Sequence, residues 1–201
     1  MRRRRYPGRA AGTPRLVDHE RATRPEEHAL LVVDVLNTFD HPDGAVLLRR
    51  FADRVPFMEH VIARARRRGW RVVYVNDRHG ADRREDLVER VMAGPGGALL
   101  ARLVPHPGDP VVLKPSYSGF DDTDLVWALR GMGIRRVAVM GAVTEMCVAA
   151  TARDAIAAGW PAVVLRGASV ALASTQEEDA LASLAREGVA VLADPEARAT
   201  A

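Results

Sequence analysis

The sequence predicts an α/β domain of three layers, a parallel β-sheet with helices on both faces. Three observations carry this prediction. Short, continuously apolar runs recur along the chain, as strands buried on both faces require. Segments with apolar residues at helical spacing alternate with those runs, which means crossover connections and parallel strands. No motif repeats at a fixed period, which excludes a solenoid.

The elements follow in order. "ALLVVDV", residues 29–35, is the first strand. Residues 51–69 form a helix in which Val55, Met58, Val61 and Ile62 share a face; arginines gather toward its end and Gly69 stops it. "WRVVYVN", 70–76, is a second strand, and "REDLVERVMAG", 84–94, a short helix. A Pro/Gly-rich stretch, 95–110, reads as loop and leads to the third strand "VVLK", 111–114. Residues 121–133 form a helix opened by Asp or Thr and closed by Gly. "RRVAVMG", 135–141, is the fourth strand, and residues 147–159 the helix after it. "PAVVLRG", 161–167, is the fifth. Ser174, three residues before Glu177, reads as a capping box opening a helix over 174–188. "VAVLA", 189–193, is the sixth strand.

A chain of 201 residues, 48% apolar, is enough for one packed domain. No apolar run approaches the ~20 residues of a membrane span. The single cysteine, Cys147, excludes an internal disulfide, and nothing points to an oxidising compartment; a cytoplasmic location is expected. The net charge of +3 is unevenly placed. Eight of the 29 basic and four of the 26 acidic residues lie in 1–27, leaving 21 and 22 in the nearly neutral remainder. Residues 1–27 read as a mobile basic tail and 28–201 as the packed domain. The tail's arginines could touch nucleic acid, but the neutral body lacks basic stripes and argues against that partner. No apolar segment of signal-peptide type follows the arginines.

In open parallel sheets, ligands bind at the carboxyl ends of the strands. There the sequence places Asp34 after the first strand, Asn76 and Asp77 after the second, and Lys114 after the third. Cys147 follows the fourth by a short turn. Lys114 is the only lysine among 29 basic residues. A carboxylate, an ammonium and a thiol thus reach one edge. A free thiol, pKa ~8.5, is expected to ionise beside a cation and a helix start. Asp34 can take the thiol proton and return it to a leaving group. Backbone N–H groups of Val143 and Cys147 can hold an oxyanion. Taken singly, each residue has a plainer role: Asp34 as a turn acceptor, Lys114 as a solvated strand end, Cys147 as a small buried hydrophobe.

Three blocks in order resemble the isochorismatase-like cysteine hydrolases, which include nicotinamidases and N-carbamoylsarcosine amidases: "LLVVDVLNTF", "VVLKPSYSGF" and "GAVTEMCVAATARDA". The resemblance covers about residues 28–192. It implies a six-stranded sheet of order 3-2-1-4-5-6, with Cys147 as nucleophile, Asp34 as general acid and base, and Lys114 as the activating charge. It further implies a cis peptide between Ala142 and Val143 that turns the Val143 N–H toward the oxyanion. Leu36 and Thr38 stand where the family often has Gln and Asp. The nicotinamidase branch holds a metal near the end of strand two. Asp77 and His79 match its first two ligands; the next histidine is missing, with Glu85 near its place and His106 in a distant Pro-rich loop. Two donors fall short of the three or four such a site uses, so no metal and no cofactor is expected.

The expected reaction is hydrolysis of a C–N bond in a small amide, carbamoyl or ureido substrate through a thioester on Cys147. Phe39, Tyr117 and Phe120 are candidate pocket walls, with core packing equally open for the two phenylalanines. The resemblance also implies a homo-oligomer, a dimer or tetramer. The alternative is a catalytically silent member that binds a small molecule or a partner; loss of one of the three site residues would mark it.

Overall fold

A computed structural model describes residues 23–193. Residues 1–22 of the basic segment lie outside them, as do 194–201. Pro25–Glu27 form one 3-10 turn, and the Glu27 carbonyl accepts the Arg135 N–H at 2.7 Å.

Six strands form one parallel sheet: β1 (His28–Val33), β2 (Arg71–Asp77), β3 (Val111–Lys114), β4 (Arg136–Ala142), β5 (Ala162–Val170) and β6 (Ala190–Leu192). Their order is β3-β2-β1-β4-β5-β6. Helices α1 (Gly44–Arg67), α2 (Arg84–Ala93) and α3 (Gly97–Leu100) pack on one face, and α4 (Leu125–Gly131), α5 (Ala149–Ala157) and α6 (Ser174–Arg186) on the other. The two-residue period of a strand explains the division. Leu30 and Val32 of β1 join Leu47, Phe51, Val55 and Met58 of α1; Ala29, Leu31 and Val33 join Leu125, Leu129 and Leu184. Each such large apolar side chain, taken out of water, contributes about 1.5–3 kcal/mol. Among the described residues no helix is long and apolar enough to cross a membrane.

The local differences from the sequence reading have physical causes. Helix α1 begins seven residues before Phe51, at Gly44, because Leu47 and Phe51 lie one turn apart on the buried stripe. The loop at 95–110 contains α3 and a 3-10 turn, Ala101–Leu103, which bury Leu100 and Leu103. The capping box at Ser174 does not form. The cap position is Ala173, so Ser174 is already helical, and Glu177 turns inward to lie 4.0 Å from Arg54.

Strand β5 carries a bulge that matters for the site. Val139 pairs with Val164 and Gly141 with Ser169, so one residue of β4 faces four of β5. Ser169 closes the bulge by donating its hydroxyl to the Leu165 carbonyl at 2.9 Å.

Candidate active site

Strand β1 is central, flanked by β2 and β4, and it delivers Asp34 to the carboxyl edge. Asp34 takes a left-handed backbone, φ 47°, which turns the chain out of the sheet. Its N–H donates to the Val75 carbonyl at 2.9 Å, and its Oδ1 accepts the Asp77 N–H at 2.6 Å. Asn76, fully buried, fastens the following turn: its Oδ1 accepts the Leu36 N–H at 3.0 Å, and its Nδ2 donates to the Leu36 carbonyl at 2.9 Å. From the sequence alone Asn76 is a strand-end residue with no assigned role. The signal was there: an amide inside an otherwise apolar run needs partners.

Lys114 closes β3, in register with Asp77. It is no solvated strand end, being 1% exposed. Its Nζ lies 2.7 Å from Asp34 Oδ2 and also donates to the Ser116 carbonyl at 2.8 Å and to Cys147 Sγ at 3.5 Å. One ammonium therefore touches both the carboxylate and the sulfur. Cys147 itself is half-buried.

The approach to Cys147 leaves β4 at Gly141, whose φ of 127° suits glycine; a Cβ there would come within 1.9 Å of the Val33 carbonyl oxygen. The Ala142–Val143 peptide is cis. Cys147 then sits in a single π-type turn, Thr144–Val148, rather than in the first turn of a regular α-helix; α5 starts at Ala149. The Val143 carbonyl gathers the N–H groups of Met146 and Val148 at 3.0 and 3.2 Å.

The electrostatics differ from the sequence expectation at the sulfur. Burial, reinforced by the Asp34 charge, pushes the Cys147 thiol up to about 12, against the opposing pull of Lys114. Burial and the Asp34 charge thus favour the neutral thiol, where the sequence leads one to expect an ionised one. Burial also raises the Asp34 carboxyl above the ordinary carboxylate value, against Lys114, Cys147 and the Asp77 N–H, all of which lower it. Burial alone would lower Lys114, but Asp34 and Cys147 hold it above its usual value, so the ammonium stays charged.

The remaining named residues separate. Phe39 and Phe120 are both buried in the core, Phe39 edge-on to Phe51 at 5.5 Å and Phe120 beside Trp160 at 5.9 Å. Tyr117 is 60% exposed. His79 takes φ 46° and its N–H donates to Asp77 Oδ1 at 2.9 Å, so part of that carboxylate is already engaged. His106 lies with Arg66 and Asp109 instead. Among the described residues no group of three or more His, Cys, Asp or Glu is arranged to hold a metal ion, so the donors present do not fit one. Two hollows, of about 90 and 140 Å³, are lined by other residues, such as Arg54 and Glu177 for the first and Val61 and Leu165 for the second.

An isochorismatase domain model matches residues 28–196. The chain is 31% identical to the ureidoacrylate amidohydrolase RutB of Cronobacter turicensis, over 72% of this chain and 75% of that protein. Its fold resembles the pyrazinamidase of Pyrococcus horikoshii, solved in complex with zinc, with a TM-score of 0.65 and 32% identity over 83% of this chain and 98% of that one. It also resembles the N-carbamoylsarcosine amidase of Thermoplasma acidophilum, with a TM-score of 0.60 and 31% identity over 82% and 94%.

Proposed function

The chain belongs to the isochorismatase family, and from that premise we propose that it hydrolyses a C–N bond of a small amide, carbamoyl or ureido compound through a thioester on Cys147. The observation that carries this reading is the shared ammonium: Lys114 Nζ stands 2.7 Å from Asp34 and 3.5 Å from the only sulfur nucleophile in the chain.

The pKa ordering suggests how the thiol is used. A thiol raised to about 12 is a poor nucleophile until its proton leaves. Asp34, hydrogen-bonded to it and more basic than a free carboxylate, is the acceptor. As Sγ bonds to the substrate carbonyl carbon, the proton passes to Asp34 and the carbonyl electron pair moves to oxygen. The N–H groups of Val143 and Cys147 receive that oxyanion. Asp34 then gives its proton to the departing nitrogen as the C–N bond breaks, leaving a thioester. Water attacks the thioester, Asp34 takes its proton, and Sγ departs and is reprotonated. Lys114 keeps a positive charge beside each anionic state, and no step draws on a metal or cofactor.

A screen of small amides and ureido acids for ammonia or amine release tests the reading. Turnover that disappears in Cys147→Ala, with an acyl adduct on Cys147 visible by mass spectrometry of the intact protein, supports it. Turnover that survives Cys147→Ala overturns it.

A further inference from the structure

Glu145 lies in the turn that carries the sulfur, yet its hydrogen bond goes to neither Asp34 nor Lys114. Its Oε1 accepts the backbone N–H of Leu172 at 3.0 Å. Leu172 lies two residues past the end of β5 and one before Ala173, the cap of α6. The bond therefore joins two connections that leave neighbouring strands at the same sheet edge.

The bulge in β5 explains how they meet. The residues absorbed between Val164 and Ser169 let Val170 pair with Ala142, right at the cis peptide. From there two more residues bring the Leu172 N–H to Glu145. Leu172 and Val143 also pack against the same hydrophobic cluster, on the α1 face of the sheet. A carboxylate accepting a backbone N–H makes one of the stronger hydrogen bonds available. Its other oxygen, Oε2, is buried and has no partner, an arrangement that does not serve stability for its own sake.

We propose that Glu145 is a positioning residue: its bond to Leu172 locks the Thr144–Val148 turn to the β5–α6 connection and thereby holds Cys147 Sγ against Asp34 and Lys114. The proposal rests on the thiol mechanism above, but its test does not need a substrate.

The test compares wild type with Glu145→Ala, Glu145→Gln and Glu145→Asp. The glutamine keeps an acceptor at the same reach, and the aspartate withdraws it by one methylene. Two readings are made on the substrate-free protein: hydrogen exchange of the Leu172 amide, and the rate of alkylation of the single cysteine by iodoacetamide at pH 8. With the lock released, Sγ moves away from Asp34 and out of cover. Alkylation in the alanine and aspartate variants is expected to be at least three-fold faster, with Leu172 protection lost and the glutamine variant within two-fold of wild type. If a substrate is in hand, kcat falls about ten-fold in the same two variants with KM little changed. Should Glu145→Ala fail to fold, Glu145→Asp and Glu145→Gln decide alone. Alkylation and exchange unchanged in Glu145→Asp, or equal losses in glutamine and aspartate, would overturn the proposal. A failed substrate screen alongside the expected alkylation pattern would count against the amidase reading and leave the lock standing.

Discussion

Lys114 Nζ and Asp34 Oδ2 stand 2.7 Å apart although β2 lies between the strands that carry them. That pair, with Cys147 Sγ 3.5 Å from the same ammonium, makes each member's contribution measurable. Asp34→Asn keeps the shape and removes the base; kcat is expected to fall roughly 10²–10⁴-fold. Cys147→Ala removes the nucleophile and costs about 10³-fold or more. The double variant should lose little beyond Cys147→Ala, since the two act as a unit. Steady-state kinetics on the purified variants check this, and additive losses would show that they act separately.

Burial and the Asp34 charge raise the Cys147 thiol above a free cysteine's value. With its pKa pushed up to about 12, alkylation of Cys147 in the substrate-free protein should keep rising well beyond pH 9. A labelling curve levelling off near pH 8.5 would contradict the buried, Asp34-facing geometry.

Catalysis should fade on the acid side earlier than an ordinary carboxylate would dictate. The Asp34 pKa is raised, so its basic form is lost as pH falls through a value above 3.8. Lys114 is raised above 10.5 and stays charged throughout that range. The acid limb of kcat/KM should therefore lie above pH 3.8, and it should disappear in Asp34→Asn. An acid limb unchanged in that variant would assign it to another group.

Gly141→Ala should destabilise the fold by about 2–4 kcal/mol, because the new Cβ meets a backbone oxygen, which cannot rotate away, at a φ unfavourable to alanine. Gly108→Ala, with open space around it, serves as the control and should shift stability by less than about 0.5 kcal/mol. Urea denaturation of the two variants makes the comparison.

Treatment with a chelator should leave turnover unchanged. Asp77 already accepts the His79 N–H, and among the described residues no third donor joins the two. Loss of activity on chelation, restored by zinc, would show that the pair recruits a ligand from elsewhere.

The architecture was legible because burial writes itself into period and run length. Six apolar runs became six strands, and "VVLK" matched β3 residue for residue. What the sequence could not show was set by three-dimensional enclosure. Ionisation of Cys147 depends on how deeply the site is covered, and no residue type encodes that. The roles of Phe39 and Phe120 stayed open because an aromatic after a strand suits a pocket or a core equally. Glu145 read as one acid in a turn, since its partner is the backbone of a residue 27 positions away. The β5 bulge had no signal beyond Gly167 and Ser169, which suit several structures.

The order of the sheet also explains why the chain has a lysine at position 114. Neighbouring strands lie about 4.8 Å apart, so the β3 backbone stands about two such intervals from β1. The four-carbon stem, met by the Asp34 side chain reaching back, closes that interval and ends in a point charge small enough to serve oxygen and sulfur together. A guanidinium would spread its donors over a plane and favour the carboxylate alone. The sheet thus acts as a ruler for its own chemistry: the width of β2 sets the span that Lys114 and Asp34 must close between them.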